Sequence, residues 1–367
     1  MKYSTDKSFC EELDQKDSLK SYKDLFFIPK NKQGKELIYF CGNSLGLQPK
    51  KTKEYIIQEI DDWKTHAVEG HFHAKNPWLP YHEMLSASYS KLIGAKSSEV
   101  IAMNTLTVNL HLMMVSFYKP EKNKFKILIE KDAFPSDIYA VESQIKFHGF
   151  KSDEALIKLE PRKGEYFIRQ EDIEKIIEEN SNEIALILLG GVNYYTGQLF
   201  DMQKITKVGH ENGVVVGFDL AHAIGNVKLE LNKWNVDFAV WCTYKYLNSG
   251  PGAIAGAFVN ERFHNVELPR FTGWWGHNKK ERFLMDDKFK PIKSAEGWQL
   301  SNPPIFSLAP VFASLSIFDK VGMDDLIKKS KALTNYLEFL IKSFDNKNIE
   351  IIDVPMRGCQ LSIRVKN

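Results

Sequence analysis

Short, continuous apolar runs alternate with amphipathic stretches through the middle of the chain. "EVIAMN" leads into "LTVNLHLMMVSFY", "FKILIE" into "PSDIYAVESQIKF", "EIALILLGG" into "DMQKITKVGHENG", and "VVVGFDL" into "AHAIGN". A strand that is apolar on every residue is covered on both faces, and the intervening helices supply both the cover and the parallel crossovers. The pattern therefore predicts an α/β fold: a mostly parallel sheet flanked by helices. "DFAVWCTYK" and "GAIAGAFV" follow with only a turn expected between them.

A polar arm precedes the sheet and carries one expected strand, "ELIYF". After "SNPPIF" the periodicity becomes that of one long helical stretch, from about Leu308 to Phe344, and two strands follow in "IEIIDVP" and "RGCQLSIRV". We read three regions: an N-terminal arm over 1–60, a large domain over 61–307, and a smaller α+β domain over 308–367. The small domain is expected to be incomplete, because a second strand with nothing after it does not finish a sheet layer.

Composition narrows the function classes. With 367 residues, 43% apolar and 26% charged, the chain reads as a soluble globular protein of more than one unit. A net charge of +2 gives no field to hold nucleic acid. Cys10, Cys41, Cys242 and Cys359 are scattered, which indicates neither a disulfide framework nor a zinc site and suits reduced thiols in the cytoplasm. The charged start lacks a signal-peptide core, and runs such as "IALILLGGV" are too short to span a membrane.

Ligands of parallel α/β sheets bind beyond the carboxyl ends of the strands. Those ends offer Asp219 with His222 close behind, Tyr244 with Lys245, Thr105, Leu106 and Thr107 at a helix start, and Phe134, Ser136 and Asp137 in "AFPSD". Taken singly, a lysine by a loop is usually solvated and an aspartate after a strand usually caps a helix. Together the set fits pyridoxal phosphate (PLP). Its aldehyde needs a lysine amine, its pyridine nitrogen a carboxylate, its phosphate a helix N-terminus, and its ring a stacking face from Phe134 or His222. Partial burial at a strand end would lower the lysine's affinity for its proton and free it as nucleophile.

"GNSLG" (Gly42–Gly46) also matches the G-x-S-x-G pattern of serine hydrolases. That elbow needs a helix to begin at the serine, whereas Pro49 announces the next helix several positions later. Ser44 is therefore read as part of a turn.

"YFCGNSLGLQPK", "NTLTVNLHLMM", "AFPSDIYAVESQ", "VNYYTGQLF", "VGFDLAHAIGN", "DFAVWCTYKYLNSGPGAIAGAFV", "GWWGH" and "SNPPI" closely resemble the kynureninase family, fold-type-I PLP enzymes of the aminotransferase class-V-like superfamily. The likeness runs from about residue 38 to the end and leans toward the eukaryotic-type enzymes. It implies a homodimeric hydrolase that converts L-kynurenine, its 3-hydroxy form or both to the matching anthranilate and L-alanine, in tryptophan catabolism and NAD biosynthesis. It implies Lys245 as the Schiff-base lysine, Asp219 on the pyridine nitrogen with Asp137 close by, and Phe134 on the ring. Leu106 and Thr107 with Tyr244 would hold the phosphate, Ser136 belongs to the same cofactor-binding segment, and His222 would lie beside the cofactor. Lys245, Tyr244 and His222 are the catalytic candidates. Trp274 and Asn302 fall on cofactor-contacting positions at or near the subunit interface, and His71, with Asn302, on substrate-contacting ones.

Two departures stand out. Gly190 occupies a position where the family usually has a hydroxyl. The family's "R-V-A-P"-type segment, whose arginine holds the substrate's carboxylate, has no counterpart, and Arg364 belongs to the strand before it. The alternatives are another PLP lyase of the same fold, such as a cysteine desulfurase, or a PLP-binding chain with impaired turnover.

Overall fold

The computed structural model describes residues 3–344 and 348–366. Its centre is a seven-stranded sheet of β1 (Val100–Ala102), β2 (Lys126–Glu130), β3 (Leu156–Leu159), β4 (Ile184–Gly190), β5 (Val215–Asp219), β6 (Phe238–Trp241) and β7 (Gly256–Val259), in the spatial order β1-β7-β6-β5-β4-β2-β3. β7 runs antiparallel to both neighbours, and the pairs from β6 across to β3 are parallel.

Apart from the edge strand β3, whose Lys158 is exposed, the strands are buried on both faces, which is why their residues are apolar without alternation. Odd and even positions enter different cores. Leu128, Ile187, Leu189, Val216, Phe218 and Trp241 pack with the helices Gln170–Asn180, Met202–Glu211 and Ile305–Val321. Ile127, Ile129, Leu186, Leu188, Phe238 and Val240 pack with the helices Leu106–Phe117 and Pro135–Phe147. Full burial of each such side chain is worth about 1.5–3 kcal/mol before the entropy of ordering is subtracted.

Several expectations are corrected. "ELIYF" forms no strand. Only an isolated bridge, Lys30 to Glu36, touches it, and Ile38 and Phe40 are 86% and 76% exposed. β6 and β7 are joined by the long loop 242–255, because the chain must leave the sheet at Cys242 before returning antiparallel. The helical stretch is two helices, Ile305–Val321 and Met323–Ser343, whose axes bend by 84° at Gly322. Gly322 takes a positive φ of 76° that glycine adopts without strain, while its N–H closes the first helix on Phe318 O.

The first of these helices starts at Ile305 and buries Leu308, Val311, Leu315 and Phe318 in the core of the large sheet. After the second come β8 (Ile349–Ile351) and β9 (Ile363–Val365), an antiparallel pair. The segment between them docks on the large sheet's side through Leu199 N–H to Met356 O at 2.9 Å and Gln360 Nε2 to Tyr194 O at 2.9 Å. Among the described residues no single helix is long and apolar enough to cross a membrane.

Candidate active site

β2, β4 and β5 are neighbours and parallel, so their carboxyl ends bring Glu130, Gly190 and Asp219 side by side. Gly190 pairs with Asp219 in the β4–β5 register. The loop after β6 places Tyr244 and Lys245 across from them. Together with Leu106, Thr107, Phe134, Ser136, Asp137, Asn193, Tyr194 and His222, these residues line one cavity of about 130 Å3.

Lys245 Nζ lies 2.9 Å from His222 Nε2 and 5.6 Å from the centre of the Phe134 ring. His222 is buried. Burial, and then the lysine's charge, push its pKa down to about 3, so the imidazole is neutral. Asp219 is buried and accepts the Ala221 N–H at 2.7 Å. Burial raises its pKa, and burial together with the charge of Asp219 raises that of Asp137 well above the ordinary carboxyl range. Burial also raises Tyr244, whose phenol stays protonated at any working pH.

Helix starts form another part of the lining, and Asp137 belongs to one of them. Thr107 stands in the first turn of Leu106–Phe117 and Ser136 in the first turn of Pro135–Phe147, and their hydroxyls are 2.9 Å apart. Neither helix has its first turn capped by the preceding side chain. Two positive dipole ends with two hydroxyls make an anion cradle. Phe134, just before the second helix, keeps 48% of its surface exposed and meets Tyr194 edge-on at 5.3 Å.

The residues fit PLP by an observation independent of sequence pattern. Two buried polar atoms of the wall, Asp137 Oδ1 and His222 Nδ1, have no hydrogen-bond partner among the described residues. Buried polar groups are nearly always satisfied, so orphans in a cavity wall mark where a ligand's polar atoms belong.

Glu130 escaped the sequence reading. It is buried, accepts the Gly190 N–H at 2.7 Å and Asn193 Nδ2–H at 2.6 Å, and burial raises its pKa to about 7. Its signal was present, since it is the one charged residue ending the run "FKILIE". The same carboxylate bears on Gly190, where an added Cβ would lie 2.9 Å from Glu130 Oε1.

Trp274, Asn302 and His71 do not line this cavity within one chain. Trp274 is part-exposed in the turn Trp274–Gly276, and its indole donates to Arg282 O. Asn302 is exposed, and His71 packs edge-on against Trp78. Ser44 is exposed in a turn closed by its N–H on Cys41 O at 2.9 Å, and the next helix begins only at Thr52. No nucleophile elbow forms there.

The aminotransferase class-V family model matches residues 38–363. A kynureninase from Flavobacterium psychrophilum is 53% identical over 362 residues, covering 97% of this chain and 85% of its own. A kynureninase from Nematostella vectensis is 48% identical over 384 residues, covering 98% and 83%. This chain belongs to the kynureninase family. The bacterial relative is the more similar of these two. Among solved structures, a cysteine desulfurase from Thermococcus onnurineus superposes with a TM-score of 0.73 at 18% identity, over 90% of this chain and 79% of that one. One from Escherichia coli gives 0.74 at 14% identity, over 94% and 82%. At such identity these likenesses show the fold-type-I fold alone.

No cysteine is among the residues lining this cavity. Cys242 is buried beneath Tyr244 with its thiol pushed up to about 11, and burial raises the Cys359 thiol as well.

Proposed function

We propose that this chain hydrolyses L-kynurenine, its 3-hydroxy form or both to the corresponding anthranilate and L-alanine, with PLP as cofactor. The observation that carries the reading is Lys245 Nζ 2.9 Å from a neutral histidine, in a cavity that a buried acid pair and two helix starts also line. When bound, PLP supplies an electrophilic carbonyl for amines and a ring that stores the electron pair released at the substrate's α-carbon.

In this reading Lys245 would be the residue that holds PLP, and its amine would be the group that takes and returns the substrate's α-proton. Asp219, with Asp137 close by, would hold the pyridine nitrogen. Phe134 would stack on the ring. Leu106, Thr107, Ser136 and Tyr244 would hold the phosphate. Water would add to the aryl ketone, and cleavage of the bond between Cβ and the carbonyl carbon would leave that carbon as the anthranilate carboxylate and the electron pair on Cβ, which takes a proton to become the methyl group of alanine. His222 and Tyr244 are placed to move protons in that hydration and cleavage. His222 can accept a proton because its imidazole is neutral.

The rest of the reading is also proposed. Trp274, Asn302 and His71 reach the cofactor or substrate in a homodimer, and the protein works in the cytoplasm. The chain divides into an arm over 1–60, a PLP domain over 61–307 and a small domain over 308–367.

The test is to incubate purified protein with PLP and kynurenine and follow anthranilate fluorescence and alanine release. Formation of both supports the reading. PLP uptake at Lys245 without either product favours a binding protein with impaired turnover, and no uptake overturns the proposal.

A further inference from the structure

The turn that resembled a nucleophile elbow has another contact. Gly46 N–H donates to Tyr244 O at 2.8 Å, and Asn248 Nδ2 donates to Leu47 O at 3.1 Å. Two hydrogen bonds thus tie the arm to the residues on either side of Lys245. The approach is too close for a side chain, since a Cβ on Gly46 would stand 2.3 Å from Lys245 O and 2.8 Å from Asn248 Cα.

Both partners are themselves fixed. In the arm, Leu45 N–H closes on Cys41 O at 3.0 Å and Tyr39 hydroxyl donates to Leu45 O at 2.7 Å. In the lysine loop, Asn248 N–H donates to Lys245 O at 3.1 Å and Ser249 N–H to Thr243 O at 3.0 Å, with Asn248 at a positive φ of 54°. Gly42, the first glycine of the same motif, has nothing within 4 Å of where its Cβ would be. One glycine of the motif is therefore required by contact and the other is not.

We infer that the arm's turn 41–47 is a brace that fixes the backbone of Lys245, with Gly46 and Asn248 as positioning residues for the proposed PLP lysine. A lysine attached at its tip to a cofactor must present Nζ at one point over the ring, and a loop held at 244 and 248 limits the wander of the residue between them. The inference rests on the PLP reading for its purpose, while the brace itself rests on the contacts.

The experiment compares Gly46→Ala, Asn248→Gly and Gly42→Ala in the full chain. Asn248→Gly tolerates the left-handed backbone and deletes the side-chain bond to the arm while also freeing the loop, so its effect counts for the brace only where Gly46→Ala moves the same readouts. Two readouts are taken: hydrogen–deuterium exchange of the 243–249 peptide without added cofactor, and PLP titration by the visible absorption of the bound cofactor, with the pH midpoint of that absorption. Asn248→Gly is expected to weaken PLP binding about fivefold to tenfold, the weight of one hydrogen bond, and to speed exchange of the peptide by a similar factor. Gly46→Ala should do more and also move the pH midpoint, and Gly42→Ala should match the parent in every readout.

Parent-like exchange and absorption in both Gly46→Ala and Asn248→Gly would overturn the brace, as would a Gly42→Ala chain that loses as much as Gly46→Ala. If Gly46→Ala does not fold, a parent-like Asn248→Gly still overturns the brace. The exchange readout needs no cofactor, so a parent that takes up no PLP refutes the proposed function while the brace is still judged.

Discussion

Lys245 Nζ and His222 Nε2 sit 2.9 Å apart in the lining of the cavity. The imidazole and the amine share a hydrogen bond there, so the lysine has a fixed resting place when it is not attached to anything. Lys245→Ala removes the only amine among the residues lining the cavity. It is expected to abolish the yellow colour of the loaded protein and to lower turnover by at least about a thousandfold, with the fold intact by circular dichroism. Visible absorption and anthranilate fluorescence check this, and retention of both signals counts against the assignment.

Asp219 and Asp137 are crowded acids that a pyridinium would relieve. Asp219→Asn still accepts the Ala221 N–H through its amide oxygen but presents no negative charge to the ring. Turnover should fall by roughly 10²–10³-fold, the scale for losing one electrostatic contact to developing charge. PLP affinity should fall less. A variant turning over within about threefold of the parent would remove Asp219 from its role.

Thr107 and Ser136 join two helix starts through their hydroxyls. Thr107→Ala deletes one hydroxyl and leaves both dipole ends in place. The expected result is PLP affinity weakened about five- to twentyfold, or roughly 1–2 kcal/mol, with near-parental turnover once cofactor saturates. Titration of apo protein with PLP measures it. Unchanged affinity would place the phosphate elsewhere.

Glu130 gives a pH signature. Its folded pKa, about 7, lies above the ordinary value of 4.5. The unfolded chain therefore releases this proton first, and stability falls as pH rises from about 4.5 to 7, by at most roughly 3 kcal/mol from this group. Below that window its contribution is fully present. Glu130→Gln cannot ionise, so apo Glu130→Gln should lose less stability between pH 5 and 8 than the apo parent in urea titrations. Equal losses would show that Glu130 is ionised in the folded chain throughout.

Most of the sheet was legible in the sequence because its inner strands are buried on both faces, whereas the edge strand β3, with Lys158 exposed, was not read. "IALILLG" could hardly be anything but β4, and Asp219, Tyr244 and Lys245 could be read as strand-end chemistry from the runs before them. "ELIYF" has the same β-rich composition but meets no sheet edge, and pairing partners lie outside what a local run records. Glu130 went unseen because a charged residue after an apolar run usually faces water. Only the adjacency of β2 and β4 shows that it faces Gly190 and Asn193 instead. Gly322 is one residue in a helical pattern, and the sharp bend at it depends on what the second helix packs against.

Because Gly190 and Asp219 are ladder partners, the spacing of the cavity floor is inherited from main-chain pairing. A one-residue slip of β5 would turn Asp219 away from the cavity and drive Phe218 toward it, at the cost of emptying one core and overfilling the other. The floor is thereby insulated from evolutionary drift in the surrounding loops, which can vary in length and wording while the distance between these two positions stays where the ladder puts it.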